Sequence, residues 1–326
     1  NIPLRHGGTA AFNPHEPQTA YVLMDHPYAD GAQSLAGWYR TEDEGVTWHR
    51  ILQTTASRTL LNLLEVDRNV NRKNYIYIGT NNGLRRSTDN GLSWSIVGFS
   101  GQSVLTLSQN ADGSALYVVT ANGFYRINLI TQNFAAPTLL TGNTAKFVDM
   151  HPTDPDTGLI VRGNDLRRFT FNPSTSAYSE SPVLLSENEM TLARYNPANP
   201  DHIVMVADFG YLNKFQWSTN GGTTWSTWTG SGGFSPNVLD YGPSNFGHPG
   251  YPLKSSWPPN AVHPYLNFDF IQGNPSAVLG WLTTYNKGPT RSDNYGQNFV
   301  PFAHGGNFKN NQQVAVGTDS RYIATA

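Results

Sequence analysis

Short apolar runs alternate with turn signals along most of the chain. Ala20-Tyr21-Val22-Leu23-Met24, Tyr75-Ile76-Tyr77-Ile78, Ala115-Leu116-Tyr117-Val118-Val119, Leu159-Ile160-Val161 and Ile203-Val204-Met205-Val206 are rich in β-branched and aromatic residues. They are too short for helices and predict strands. A turn precedes each one. Three turns carry paired prolines: Asn13-Pro14-His15-Glu16-Pro17, His151-Pro152-Thr153-Asp154-Pro155 and Asn196-Pro197-Ala198-Asn199-Pro200. Asn69 to Asn74 and Ala111 to Ser114 occupy the equivalent places. Proline cannot donate to a sheet ladder, so these segments join two strands, A before the turn and B after it.

A second marker runs in phase with the first. It reads Thr41-Glu42-Asp43-Glu44-Gly45-Val46-Thr47-Trp48, and returns as Ser87-Thr88-Asp89-Asn90-Gly91-Leu92-Ser93-Trp94 and Ser218-Thr219-Asn220-Gly221-Gly222-Thr223-Thr224-Trp225. Ser292-Asp293-Asn294-Tyr295-Gly296-Gln297-Asn298-Phe299 is a worn copy. From 41 to 87 is 46 residues; from 87 to 218 is 131, three steps of about 44; from 218 to 292 is 74, one step plus an insertion of about 28. A period near 44 fits a four-stranded blade, with strand C ending in the Ser or Thr and strand D starting at the Trp. The chemistry of the turn is local. An Asp or Asn oxygen can accept from backbone N–H groups further on, Gly allows positive φ, and Trp buries apolar area between blades. An aspartate recurring in several blades is structural, since one active site needs each residue once.

The predicted fold is therefore all-β: a β-propeller of four-stranded blades, seven-bladed, with the last blade incomplete. One propeller domain spans 1–326, with blades near 8–52, 58–98, 103–140, 144–185, 190–229 and 262–303 and a partial one at 312–326. Residues 230–260 form a long inserted loop. A further domain or chain is expected to complete the last blade.

Composition agrees with this picture. Aromatic residues make up 12% and charged residues 13%, with 31 Gly and 21 Pro, as a turn-rich β protein requires. A net charge of −2 carries no signature of nucleic acid binding. No run approaches the roughly eighteen apolar residues of a membrane helix, so no membrane insertion is expected. There is no cysteine and no unblocked glycosylation sequon, and the first residue is Asn1, which points to a processed, secreted or cell-surface protein of bacterial or viral origin. The nine His show no zinc spacing, and Asp154-Pro155-Asp156-Thr157-Gly158 lacks the bidentate Glu of a calcium loop, so no metal and no cofactor is expected.

The repeated turn resembles that of the Asp-box (bacterial neuraminidase repeat) superfamily, which includes sialidases, sortilin-type receptors, a photosystem assembly factor and two-propeller xyloglucan-cleaving glycosidases. Trp38-Tyr39-Arg40-Thr41 leading into Asp43, Gly45 and Trp48, with Gly7-Gly8 before the first strand, is similar to the xyloglucanase and sortilin-like branches. The resemblance implies a propeller and is poor for function, because sites are grafted onto folds. Sialidases carry an Arg-Ile-Pro motif; this chain has Asn1-Ile2-Pro3, which argues against that activity. In the xyloglucan-cleaving family the catalytic aspartates come from two facing propellers.

Blade topology puts A–B and C–D turns on one face and B–C loops and D–A connections on the other. The irregular sequence concentrates on the second face, at 25–37, 230–260 and 283–290. Tyr28, Tyr241, Tyr251, Trp257 and Tyr285 are the expected ligand-binding residues, since aromatic faces stack on sugar rings. Asp30, His26 and His248 are the candidate acids or bases. The expected partner is a polysaccharide or surface glycan. Two readings stay open: a glycoside hydrolase or lyase, and a non-catalytic carbohydrate-binding, adhesion or structural propeller.

Overall fold

The computed structural model of the chain describes residues 7–24, 37–53, 64–143, 145–188, 190–208 and 213–227, and the strands at 266–270, 278–282, 289–292, 300–301, 314–316 and 323–325. It is an all-β propeller of antiparallel four-stranded blades. The first sheet meanders through Gly7–Asn13, Glu16–Met24, Gly37–Thr41 and His49–Gln53. The second uses Leu64–Val66, Ile76–Thr80, Gly83–Ser87 and Ser95–Gly98; the third Val104–Gln109, Ala115–Thr120, Gly123–Asn128 and Thr138–Thr141. The fourth uses Phe147–Met150, Thr157–Arg162, Asp165–Asn172 and Ala177–Glu180, and Leu185–Ser186 adds a short strand against its third. The fifth uses Met190–Asn196, Asn199–Asp208, Asn213–Ser218 and Ser226–Thr227; the sixth Leu266–Phe270, Val278–Leu282, Pro289–Ser292 and Val300–Pro301. Val314–Val316 and Ile323–Thr325 pair as a two-stranded sheet.

The A strands follow one another around an axis. Gly7–Asn13 lies beside Leu64–Val66, which lies beside Val104–Gln109, then Phe147–Met150, then Met190–Asn196. Leu266–Phe270 neighbours the second strand of the fifth sheet and also Val314–Val316, which itself lies against Gly7–Asn13.

The second, third and fourth sheets are covered on both faces, which is why their central strands read as unbroken apolar runs. Side chains alternate between the two neighbours. Ile76 and Ile78 pack toward the first sheet with Tyr21 and Trp38, whereas Tyr77 between them joins Leu107 and Leu116 of the third. Tyr117 and Val119 turn to the fourth sheet, with Val148 and Phe169. Val161 and Leu166 meet Leu192 and Val204 of the fifth.

The repeated C–D turn has one geometry in all three described copies. Asp43 Oδ1 accepts from Thr47 N at 2.8 Å and from the Thr41 hydroxyl at 2.8 Å, while Thr41 Oγ1 accepts from Gly45 N at 2.8 Å. Asp89 repeats this with Ser93 N at 2.9 Å and Ser87 at 2.7 Å. Asn220 does so with Thr224 N at 2.9 Å and Ser218 at 2.9 Å, and its amide donates to Thr224 Oγ1. Two consecutive positive φ angles make the reversal: Glu44 61° and Gly45 89°, Asn90 57° and Gly91 91°, Gly221 66° and Gly222 89°. The second angle of each pair favours Gly in every copy. The copy at 292–299 lies outside the described residues beyond Ser292.

Two expectations about the tryptophans change. Strand D begins one residue after each of them, because the indole N–H folds back onto the Gly carbonyl, at 3.0 Å for Trp48 and Trp94 and 3.1 Å for Trp225. They are also half-buried rather than sealed. The indoles do bridge blades. Trp94 Nε1 also donates to Ile51 O of the first sheet at 3.0 Å, and Trp225 Nε1 to Leu184 O at 3.1 Å.

An arginine at one register of strand C joins each of the first four blades to the next. Arg40, Arg86, Arg126 and Arg168 stand opposite Tyr21, Tyr77, Tyr117 and Leu159. Arg40 donates to Asn90 O in the next C–D turn. Arg86 donates to Gln132 Oε1 and lies 4.8 Å over Phe134. Arg126 lies 4.7 Å over Phe171, and Arg168 Nη2 donates to Gly221 O at 2.8 Å. Period-two alternation sends Arg86 and Arg168, and not their neighbours Arg85 and Arg167, into the junction.

Arg86→Met should lower stability by about 2 kcal/mol, the worth of a charge-assisted hydrogen bond with its ring contact. Arg85→Met, one residue away on the other side of the strand, should change it by less than about 0.5 kcal/mol. Urea unfolding of the pair distinguishes a joint from a solvated strand charge.

Hydrogen bonds from Thr47 and Ser93 hold the carboxyls of Asp43 and Asp89 down to about 2. Their contribution is complete above the unfolded carboxylate range near pH ~4 and is lost as pH falls through about 2. The double variant Asp43→Asn/Asp89→Asn should keep both turns, as Asn220 does, and lose less stability than the parent between pH 4 and 2. Parallel pH profiles would contradict this.

Candidate functional site

The two faces of the propeller are built differently. On the A–B face each of the five described turns is headed by a side chain that caps its own backbone. Asn13 Oδ1 accepts from His15 N, Asp67 Oδ1 from Asn69 N, Asn110 Oδ1 from Ala115 N, His151 Nδ1 from Asp154 N and Asn196 Oδ1 from Ala198 N, each at 2.9 Å. Asp154 belongs to such a turn: its Oδ1 accepts from Asp156 N and its Oδ2 from Thr157 Oγ1. The calcium-like spacing there is turn chemistry. Among the described residues no group of three or more His, Asp or Glu could hold a metal ion.

On the opposite face the second, third and fourth sheets have two-residue B–C hairpins, closed by the pairs Thr80↔Gly83, Thr120↔Gly123 and Arg162↔Asp165. The connection after the second sheet is pinned to its hairpin, with Gly101 N donating to Asn82 Oδ1 at 3.0 Å. The strands flanking 25–36, 228–265 and 283–288 end on this same face, at the first, fifth and sixth sheets. His26, Tyr28 and Asp30 fall in the first segment, Tyr241, His248, Tyr251 and Trp257 in the second, and Tyr285 in the third. All eight lie outside the described residues.

Charged chemistry that sequence reasoning missed sits on the axis. Two residues before each A–B turn head, the A strands carry Ala11, Glu65, Ser108, Asp149 and Arg194. They form one level, since their partners on strand B are Tyr21, Tyr77, Tyr117, Leu159 and Val204. Glu65 is 16% exposed at its side chain and lies 3.9 Å from Arg68. Burial pushes its carboxyl up to about 7, with Arg68 opposing and Asp149 adding to the rise. Asp149 Oδ2 accepts from Tyr195 N of the next blade at 2.9 Å, and Gln109 Oε1 accepts from Arg68 N of the preceding one at 2.7 Å. Glu65 in turn takes a backbone hydrogen bond at Gln109. The cluster can hold one proton near neutral pH, yet its bonds run from A strand to A strand, and it lies toward the A–B face. Its signal in the sequence is a charge two residues before a turn head, visible once the turns are aligned.

Glu65→Gln tests this cluster. A carboxyl raised in the folded state makes stability fall with rising pH between the unfolded value, about 4.3, and about 7. Subtracting the variant's denaturation profile from the parent's should leave that slope. A flat difference would show Glu65 to be hydrated and ordinary.

No family model matches the chain, and no curated protein matches it. Solved structures do. The GH74 xyloglucanase from Xanthomonas campestris superposes with a TM-score of 0.61 at 13% identity, over 98% of this chain and 50% of that one. The GH74 enzyme of Niastella koreensis gives 0.53 at 16%, over 98% and 62%, and YCF48 bound to D1 peptide gives 0.54 at 15%, over 91% and 82%. The chain thus spans about half the length of the first of these. At such identities the likeness is one of fold: this chain is similar to the two GH74 enzymes and to YCF48 alike.

Proposed function

We propose that the chain is an Asp-box propeller that acts on or binds a polysaccharide outside the cell, through the face bearing the B–C loops and D–A connections. One observation carries this reading: that face is reduced to two-residue hairpins on three successive sheets, while its long, aromatic-rich segments all spring from the first, fifth and sixth. Long connections in a compact domain are where ligand sites reside. Tyr28, Tyr241, Tyr251, Trp257 and Tyr285 supply stacking surfaces, with Asp30, His26 or His248 as acid or base if a bond is cut. The likeness to two GH74 enzymes supports a glycan ligand. The neighbour relations of Val314–Val316 with both Leu266–Phe270 and Gly7–Asn13 support a seven-bladed ring.

A non-catalytic propeller is the second reading. It is favoured by the axial carboxylates, Glu65 and Asp149, whose bonds serve to tie the A strands together.

A panel of plant, algal and bacterial polysaccharides, scored for binding and for cleavage, separates the two. Replacing Trp257 and Tyr251 by Ala should weaken glycan binding at least tenfold with the melting temperature nearly unchanged. Lost stability with unchanged binding would make the long segment a structural plug and overturn the reading.

A further inference from the structure

The joint between the second and third sheets differs from those between the first and second and between the fourth and fifth. At those two joints the indole of the repeated turn reaches back to the preceding sheet, Trp94 to Ile51 O on strand D and Trp225 to Leu184 O just before the short strand Leu185–Ser186. Ile51 sits in a bulge, between the pairs Trp38↔Leu52 and Tyr39↔Arg50. The same bulge in the second sheet, between Leu84↔Gly98 and Arg85↔Ile96, holds Val97. The third blade has no tryptophan anywhere in its sequence. Its C–D connection sends in Phe134, which goes deep: 6% exposed, with its ring centroid 5.9 Å from that of Tyr77 and the Arg86 guanidinium 4.8 Å away. The outer part of the slot stays open.

What remains is a groove of about 470 Å³, lined by Val97, Phe99, Gln102, Tyr125, Phe134 and Pro137 among others. That volume lies within the usual range of ligand sites, roughly 300–1,000 Å³. The rings of Phe99 and Tyr125 stand 4.9 Å apart at one wall. Gln102 Oε1 is buried there without a hydrogen-bond partner. No charged side chain lines the groove. An unpaired buried acceptor costs stability until a donor arrives.

We propose that this groove is a docking site for a tryptophan side chain on a peptide segment of a partner protein. The protein itself shows what such a slot accepts, because indoles fill the equivalent position at two other blade junctions. The chemistry agrees. The walls offer aromatic and aliphatic surface for the ring, and the orphan amide oxygen of Gln102 calls for a single N–H donor. A sugar would bring many hydroxyls, each needing a partner that apolar walls do not offer. The site lies between outer strands, so it operates independently of the glycan reading.

The peptide Gly-Ser-Trp-Ser-Gly and its Phe and Ala analogues, titrated calorimetrically into the full chain, test the proposal. The Trp peptide should bind about tenfold more tightly than the Phe peptide, the Ala peptide not at all. Gln102→Met should remove the preference for Trp over Phe, because it deletes the acceptor and keeps the volume. Ala135→Trp, at an exposed position lining the groove, should abolish binding of both; melting curves check that the variants fold. Should Ala135→Trp fail to fold, saturation-transfer contacts from the indole to the parent and not to Gln102→Met serve in its place. Equal binding of the Ala peptide, a Trp preference that survives Gln102→Met, or no binding to the parent overturns the proposal. Xylo-oligosaccharide binding at the groove without Trp-peptide binding would assign it to glycan instead.

Discussion

The arginine that leaves strand C of one blade for the C–D turn of the next is the contact on which the ring depends. Hydrophobic packing between sheets is strong and nondirectional, and two flat faces filled with Ile, Leu and Val could slide past each other. A guanidinium aimed at one carbonyl fixes the offset. Arg40 and Arg168 end on carbonyls of the following turn, Asn90 O and Gly221 O. The turn must therefore hold its shape before it can serve as a target. The side chain of Asp89 or Asn220 does that, by gathering the N–H and hydroxyl donors of Ser or Thr on either side. In the third blade, where the repeated turn is missing, an Asx cap and a substitute acceptor replace it: Asn128 Oδ1 takes Ile130 N, and Gln132 receives Arg86.

This arrangement divides labour between the faces. Everything that sets blade geometry, the capped A–B turns, the C–D turns and the arginines they receive, lies toward one side. The other side is bound only where hairpins are short. Sequence can lengthen there without touching a joint. The axial charges follow the same division. Glu65 and Asp149 sit two residues from capped turns and close gaps between neighbouring A strands, where a backbone N–H would otherwise lack an acceptor.

Local chemistry was legible in the sequence. The turns, the strands between them and the period of about 44 residues rest on residues close together in the chain, and Pro, Gly, Asx and Trp announce them. Contacts that depend on register were not. Arg85 and Arg86 are indistinguishable until the pairing Tyr77↔Arg86 is known, and only then does one of them face the next blade. Glu65 looks like any strand carboxylate until Asp149 and Arg194 are brought to its level. The slot beside Val97 has no motif at all, since it arises from a tryptophan that the third blade lacks. The aromatic residues chosen for the ligand face, from Tyr28 to Tyr285, lie in segments without periodicity, where neither alternation nor turn chemistry dictates position.

The arginine joints also give the chain a direction in time. Their partners lie 50, 46 and 53 residues downstream for Arg40, Arg86 and Arg168, so each blade awaits only the one made after it. Loop-closure entropy grows slowly with length and stays nearly constant from one such step to the next. Assembly can then proceed as a zipper, one blade per step, during synthesis. The contact between Gly7–Asn13 and Val314–Val316 is of another kind, because it joins segments about 300 residues apart. It can form only after the sheets between them are made, so the first strand must wait until Val314–Val316 is synthesised. That interval is when a foreign strand has its best opportunity to add to the sheet.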